Sequence, residues 1–244
     1  KGGVGCSVTA ALVALNRART EPGGVVLVDI CGDQPLVLGC LVPDTPGVVD
    51  WLSRDKPVPD GLGRLVVEVS LGLGLLWRGK EHLPTTADLD GFVGQLEAHP
   101  GWVLIDAGCM LGSSPRAELA RRVAAQATRS ILVTRACHLA LSRTVEAPVT
   151  PSGVLVVRDP QRVLAAADIE AAAGAPVIAE INVDPSISRA VDAPHCSMVT
   201  STLRPSSESW IVLSVWGRWS RYWPATRSPT SWSTARTGCS SKSA

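Results

Sequence analysis

Within its first seven residues, Lys1-Gly2-Gly3-Val4-Gly5-Cys6-Ser7, the chain sets three glycines and a serine directly before an Ala-rich helical pattern. Glycines let successive backbone N–H groups converge, and the start of a helix adds the positive end of its dipole, so such a loop suits an anion. In the phosphate-loop pattern G-x-x-x-x-G-K-[ST], a lysine neutralises phosphate charge and the Ser/Thr after it holds Mg2+. Ser7 fits the second role, whereas Cys6 stands where the lysine belongs. Two later apolar runs, Val25-Val26-Leu27-Val28-Asp29 and Trp102-Val103-Leu104-Ile105-Asp106, each end in a carboxylate. An acid closing a buried strand downstream of a phosphate loop has the Walker B form, which binds Mg2+ directly or through water, and Asp106 is assigned to it. The plainer alternative is that Asp29 and Asp106 are strand-end or helix-cap carboxylates. Two such strands in the expected order weaken it.

These groups need elements to hold them. Apolar positions Val8, Leu12 and Leu15 recur at helical spacing over 7–19, and Pro22-Gly23-Gly24 ends that helix. The unbroken apolar run at 25–29 suits a strand covered on both faces, as in a parallel sheet with helices on either side. Further strands are predicted at 65–70, 73–77, 102–106, 130–134, 153–157 and 176–180, with helices at 48–53, 87–98, 116–127 and 165–173. Alternating strands and helices with short connections predict an α/β fold, a mainly parallel doubly wound sheet with helices on both faces. A phosphate loop normally follows a strand. Here it stands at the start of the sequence, so the first, central strand is expected to be missing and its neighbours to lack a partner.

The predicted boundary is one nucleotide-binding domain over 1–198 and a tail over 199–244. Five of the eight tryptophans fall beyond residue 200, beside twelve serines, and that stretch carries a net charge of +5 against −4 for residues 1–200. This loss of patterning predicts a disordered or non-native tail. The competing expectation is an interfacial membrane helix with Val212, Trp216, Trp219 and Trp223 on one face. Net charge is only +1, so the composition gives no overall case for DNA, and non-specific DNA binding has no support from charge. Seven scattered cysteines without a C-x-x-C pair predict reduced thiols and a cytoplasmic protein. Cys6, Cys31 and Cys109 are expected at one sheet edge, where a thiol switch is the bolder expectation and apolar packing the plainer one. Cys137-His138 reads as packing, and His82, His99 and His195 have no motif partners.

The opening Lys-Gly-Gly-Val-Gly-x-Ser, the strand ending in Asp29 and the later Asp106 together resemble the ParA/MinD family of deviant Walker A ATPases. The resemblance spans roughly residues 1–193 and extends to Gly74-Leu75-Leu76 and to Gly174–Ile181, followed by Asp184 and Ala190, which is similar to the family's late strand and adenine loop. It implies a cytoplasmic ATPase that dimerises around ATP and Mg2+ and positions cargo such as plasmids, septum regulators or pilus machinery. It implies that Lys1 is the signature lysine reaching the partner's nucleotide. Gly2, Gly3, Val4, Gly5, Cys6 and Ser7 would line the ATP or ADP phosphates. Ser7 and Asp106 would hold the metal, and Asp29 would be the first acid of the D-x-D switch. Two positions depart from the family pattern: the loop lysine is Cys6, and the second switch acid, which aligns the attacking water, is Cys31. Losing one phosphate-neutralising group costs about 2–4 kcal/mol of transition-state stabilisation, so hydrolysis should suffer more than binding. At a helix N-terminus the Cys6 thiol is expected to ionise more readily than a free one. Asp33 substitutes for Cys31 only if the loop bends differently. The function expected is nucleotide binding with weak or lost hydrolysis in a homodimer, or else a non-catalytic protein-interaction scaffold with a vestigial site.

Overall fold

The structure, a computed structural model, describes residues 4–54, 61–83, 88–159, 161–185, 187 and 189, and the backbone of 211–216. Lys1, Gly2, Gly3, His195 and Ala190 lie outside the described residues.

Strand β1 (Val25–Asp29) is the five-residue apolar run, and every one of its residues is buried. Its alternate side chains enter opposite cores. Val26 and Val28 pack with Trp51, Phe92, Leu119 and Val123, whereas Val25 and Leu27 pack with Ala10 and Ala14. A period of two therefore sends one strand into two layers, which is why no polar residue interrupts the run before Asp29. The first layer is supplied by helices α3 (Val48–Leu52), α4 (Leu89–Glu97) and α5 (Pro115–Gln126), the second by α1 (Cys6–Ala18). A third cluster joins Leu132, Val154 and Val156 to Ala140, Ile169 and Ala173. Those last three lie on α6 (His138–Val145) and α7 (Ala166–Ala173).

The remaining strands are β2 (Val67–Ser70), β3 (Leu73–Leu76), β4 (Trp102–Asp106), β5 (Arg129–Arg135), β6 (Gly153–Arg158), β7 (Val177–Asn182) and β8 (Ile211–Trp216). Their order across the sheet is β2-β3-β1-β4-β8-β5-β6-β7. β1 runs parallel to both β3 and β4, and β5, β6 and β7 are parallel neighbours. The predicted class, an α/β fold with a mainly parallel sheet covered on both faces, is what is found. β2 forms an antiparallel hairpin with β3 at one edge. The register between β1 and β4 sets Asp29 beside Asp106.

Within the stretch 199–244, expected to be a disordered or non-native tail, Ile211–Trp216 form a strand antiparallel to both β4 and β5; the rest of that stretch lies outside the described residues. The segment Ile-Val-Leu-Ser-Val-Trp is rich in strand formers, and β4 and β5 each offer an edge of backbone donors and acceptors on the side facing it. It stands inside the sheet, between β4 and β5. An extended segment also overturns the interfacial-helix expectation for Val212 and Trp216, while Trp219 and Trp223 lie outside the described residues. Among the described residues, no helix is long and apolar enough to cross a membrane.

Candidate nucleotide and metal site

Helix α1 begins with a glycine that only a glycine suits. Gly5 precedes it at φ 81°, a left-handed conformation costly for other residues, and its carbonyl accepts from the Thr9 backbone N–H and hydroxyl, each at 2.8 Å. No side chain caps this helix start. Its free first-turn donors and dipole therefore remain for something else. Cys6 and Ser7 are the first two helical residues, both buried.

Strands β1 and β4 bring their terminal acids to the same sheet edge, and both Asp29 and Asp106 are fully buried. Asp29 is held by backbone donors: Gly32 N–H reaches its Oδ1 at 2.7 Å and Gln34 N–H its Oδ2 at 3.1 Å. Burial is the main force on its acidity, with the Asp106 charge adding to it. Together they push Asp29 up to about 7 from 3.8, against the pull of those two N–H groups. Burial likewise raises Asp106, although hydrogen bonds from Ser7, Gln34 and Cys31 lower it again. Ser7 and Asp106, the pair that the sequence assigns to Mg2+, thus lie at one place, with the Ser7 hydroxyl favouring the charged form of the Asp106 carboxyl.

The glutamine at the start of helix α2 (Gln34–Val37) ties the parts together. Its Nε2 donates to the Ser7 carbonyl at 2.9 Å and to Asp106 Oδ2 at 2.8 Å. Sequence reasoning missed it. A four-residue helix has no periodicity to detect, and the one available signal was an uncharged amide two positions beyond Gly32 in a loop that turns back over β4.

Cys6 behaves differently from the expectation. Cys6 is 1 % exposed and packs in the apolar cluster with Val4, Leu27 and Leu104. Burial, then the Asp106 charge and Cys31, hold its thiol well above the usual range. The predicted easy ionisation at a helix N-terminus is overturned, because desolvation beside a carboxylate outweighs the dipole. Cys31 is half-buried and its Sγ lies 3.7 Å from Asp106 Oδ1 and 3.9 Å from the Asp106 carbonyl, as a weak donor. Its thiol too is raised, chiefly by burial. A side chain at Gly108, which sits at φ 76°, would place its Cβ 2.4 Å from that sulfur, so the loop after β4 closes on Cys31 only because residue 108 is glycine. Asp33 is exposed, close enough to add charge repulsion to Asp29, Cys31 and Asp106.

Cys6, Cys31 and Cys109 are free thiols, and Cys109 packs instead with the third cluster. Among the described residues, no group of three His, Cys, Asp or Glu side chains is arranged to hold a metal by itself. Cys137 and His138 start α6, in keeping with packing.

The site therefore gathers a hydroxyl, two buried carboxylates and an amide beside an uncapped helix start. Among the described residues, Arg116 is the cation whose charge reaches it, lowering Cys31. Buried carboxylates without a counter-charge are unfavourable, and hard oxygen donors suit a divalent cation such as Mg2+. Ser7 and Asp106 would hold that ion, and Ser7 with the loop backbone would meet phosphate. The fit fails at one place: position 6 offers a buried thiol, not an ammonium.

No protein-family model and no curated protein sequence matches the chain. Among solved structures, the chain is similar to a ParA family ATPase from Chlorobium tepidum TLS at 18 % identity, with a TM-score of 0.62 over 78 % of this chain and 85 % of that one. The chain thus shares the fold of a ParA family ATPase.

Proposed function

We propose that the chain is a ParA-like nucleotide-binding protein of the cell-positioning type, binding ATP or ADP with Mg2+ and hydrolysing ATP weakly or not at all. The observation that carries this reading is the bridge that Gln34 makes between the Ser7 carbonyl and Asp106 beside the uncapped start of α1. Ser7 and Asp106 would hold a Mg2+ ion, which would supply positive charge beside the acids, and Gly5 would let the loop backbone approach the phosphates. The Cys6 thiol offers no fixed charge for the β- and γ-phosphates, and Cys31 has no carboxylate to align water. Both losses act on the transition state more than on binding. Lys1, Gly2 and Gly3 complete the loop in this reading, and a cytoplasmic homodimer around two nucleotides is its assembly.

A second reading is favoured by one observation, the packing of Cys6 into the core. It is that of a scaffold that keeps the fold to bind protein partners. Calorimetric titration with ATP and ADP in Mg2+, beside a phosphate-release assay, separates the two: binding without turnover supports nucleotide binding, and no binding at millimolar nucleotide supports the scaffold.

A further inference from the structure

We propose that Gln34 is the positioning residue of this site, holding Asp106 against the first turn of α1 and offering its own Oε1 as an acceptor to the water shell of a bound divalent cation. The inference deepens the nucleotide-binding reading and rests on it.

Gln34 is fully buried in a helix whose other buried residues, Pro35 and Val37, are apolar. Packing alone would be met by leucine or methionine there. The amide instead spends both Nε2 hydrogens, one on the Ser7 carbonyl and one on Asp106 Oδ2. A peptide carbonyl can only accept, so the orientation of the carboxamide is settled and the oxygen must face away from Ser7. That oxygen is buried and, among the described residues, has no hydrogen-bond partner. Buried acceptors are nearly always satisfied, and one left open in the midst of a polar site marks the place of a donor that arrives from outside. A water bound to a divalent cation is such a donor. The backbone N–H of the same residue engages Asp29, so Gln34 touches the loop helix and both strand-end acids at once. Outer ligands of this kind fix the inner ones, and their loss costs about 10–100-fold in metal affinity.

The test measures ADP affinity of the full chain by calorimetry, in Mg2+ and in EDTA, for the wild type, Gln34→Met and Gln34→Asn. Gln34→Met should keep its EDTA affinity close to wild type and lose about tenfold or more of the gain that Mg2+ brings. Gln34→Asn, which keeps both polar ends, should recover part of that gain. A Gln34→Met chain with the full Mg2+ gain overturns the assignment. So does equal weakening in both conditions together with a lowered melting temperature, which is the mark of a purely structural role. If the variant fails to fold, the 15N-labelled side-chain amide of Gln34 is followed in the ADP-saturated wild type. Its signals should shift on adding Mg2+, and unmoved signals overturn the proposal. A wild type that binds no ADP in either condition refutes the nucleotide reading itself, a failure seen without any variant.

Discussion

Asp29 makes stability rise as pH falls, the reverse of what an ion-paired carboxylate does. Its folded-state value is about 7 against 3.8 for an ordinary aspartate, so between those values the folded chain holds a proton that the unfolded chain has released. Unfolded chains that bind fewer protons lose relative stability to the fold as acid is added, so lowering the pH from 8 towards 5 should stabilise the protein. The full effect of a shift of that size is about 4 kcal/mol, spread over the window from about 7 down to about 4. The stabilisation is complete below 3.8 and gone once the pH passes about 7. Urea unfolding at intervals from pH 8.5 to 5 measures it. Asp29→Asn cannot ionise and should flatten the slope. Its absolute stability changes less, because the new amide NH2 would oppose one of the two backbone donors now held by Asp29, at a cost of about 1–3 kcal/mol. A wild type whose stability falls between pH 8 and pH 5, or an Asn variant with an unchanged slope, would refute the reasoning. Mg2+ with ADP should also shrink the slope, since a cation beside the acids favours their charged forms.

Other outcomes follow from the same site and from the sheet. Cys6→Lys with Cys31→Asp should raise ATP hydrolysis by more than either change alone, with about 2–4 kcal/mol at stake for each restored group; phosphate release under single-turnover conditions reads this, and strictly independent effects would count against one shared transition state. Ser214→Pro should destabilise the chain by about 3 kcal/mol or more, because residue 214 pairs with Ile105 on one side and Ser130 on the other, and proline has no donor for a central strand. An unchanged melting temperature in that variant, or after removal of residues 199–244, would place β8 outside the sheet. Gly108→Ala should cost about 1–2 kcal/mol from its left-handed backbone alone, and more from contact with Cys31, so adding Cys31→Ala should recover part of the loss in thermal melts.

The strands and the paired acids were legible because a buried parallel strand leaves an unbroken apolar run, and β1 and β4 each end theirs in Asp. Helix α1 was legible from its 3.6-residue period. What escaped had no local signal. α6 follows β5 after two residues and is only eight residues long, too short for a period to show. Gln34 acquires its role only when β1 and β4 stand side by side, through contacts 27 and 72 positions away in the chain. β8 was hidden by composition: the tryptophan- and serine-rich stretch around it breaks every pattern, and its pairing with β4 spans more than a hundred residues. The expectation of an easily ionised Cys6 thiol fails because a sequence shows a helix start and not the desolvation that accompanies it.

A magnesium-dependent nucleotide site without efficient hydrolysis is tested by titrating ATP into the full chain with and without Mg2+ while recording phosphate release from the same sample. Binding should weaken on removal of Mg2+, with little phosphate released. Absence of binding at millimolar ATP, or turnover typical of an intact ATPase, would contradict it.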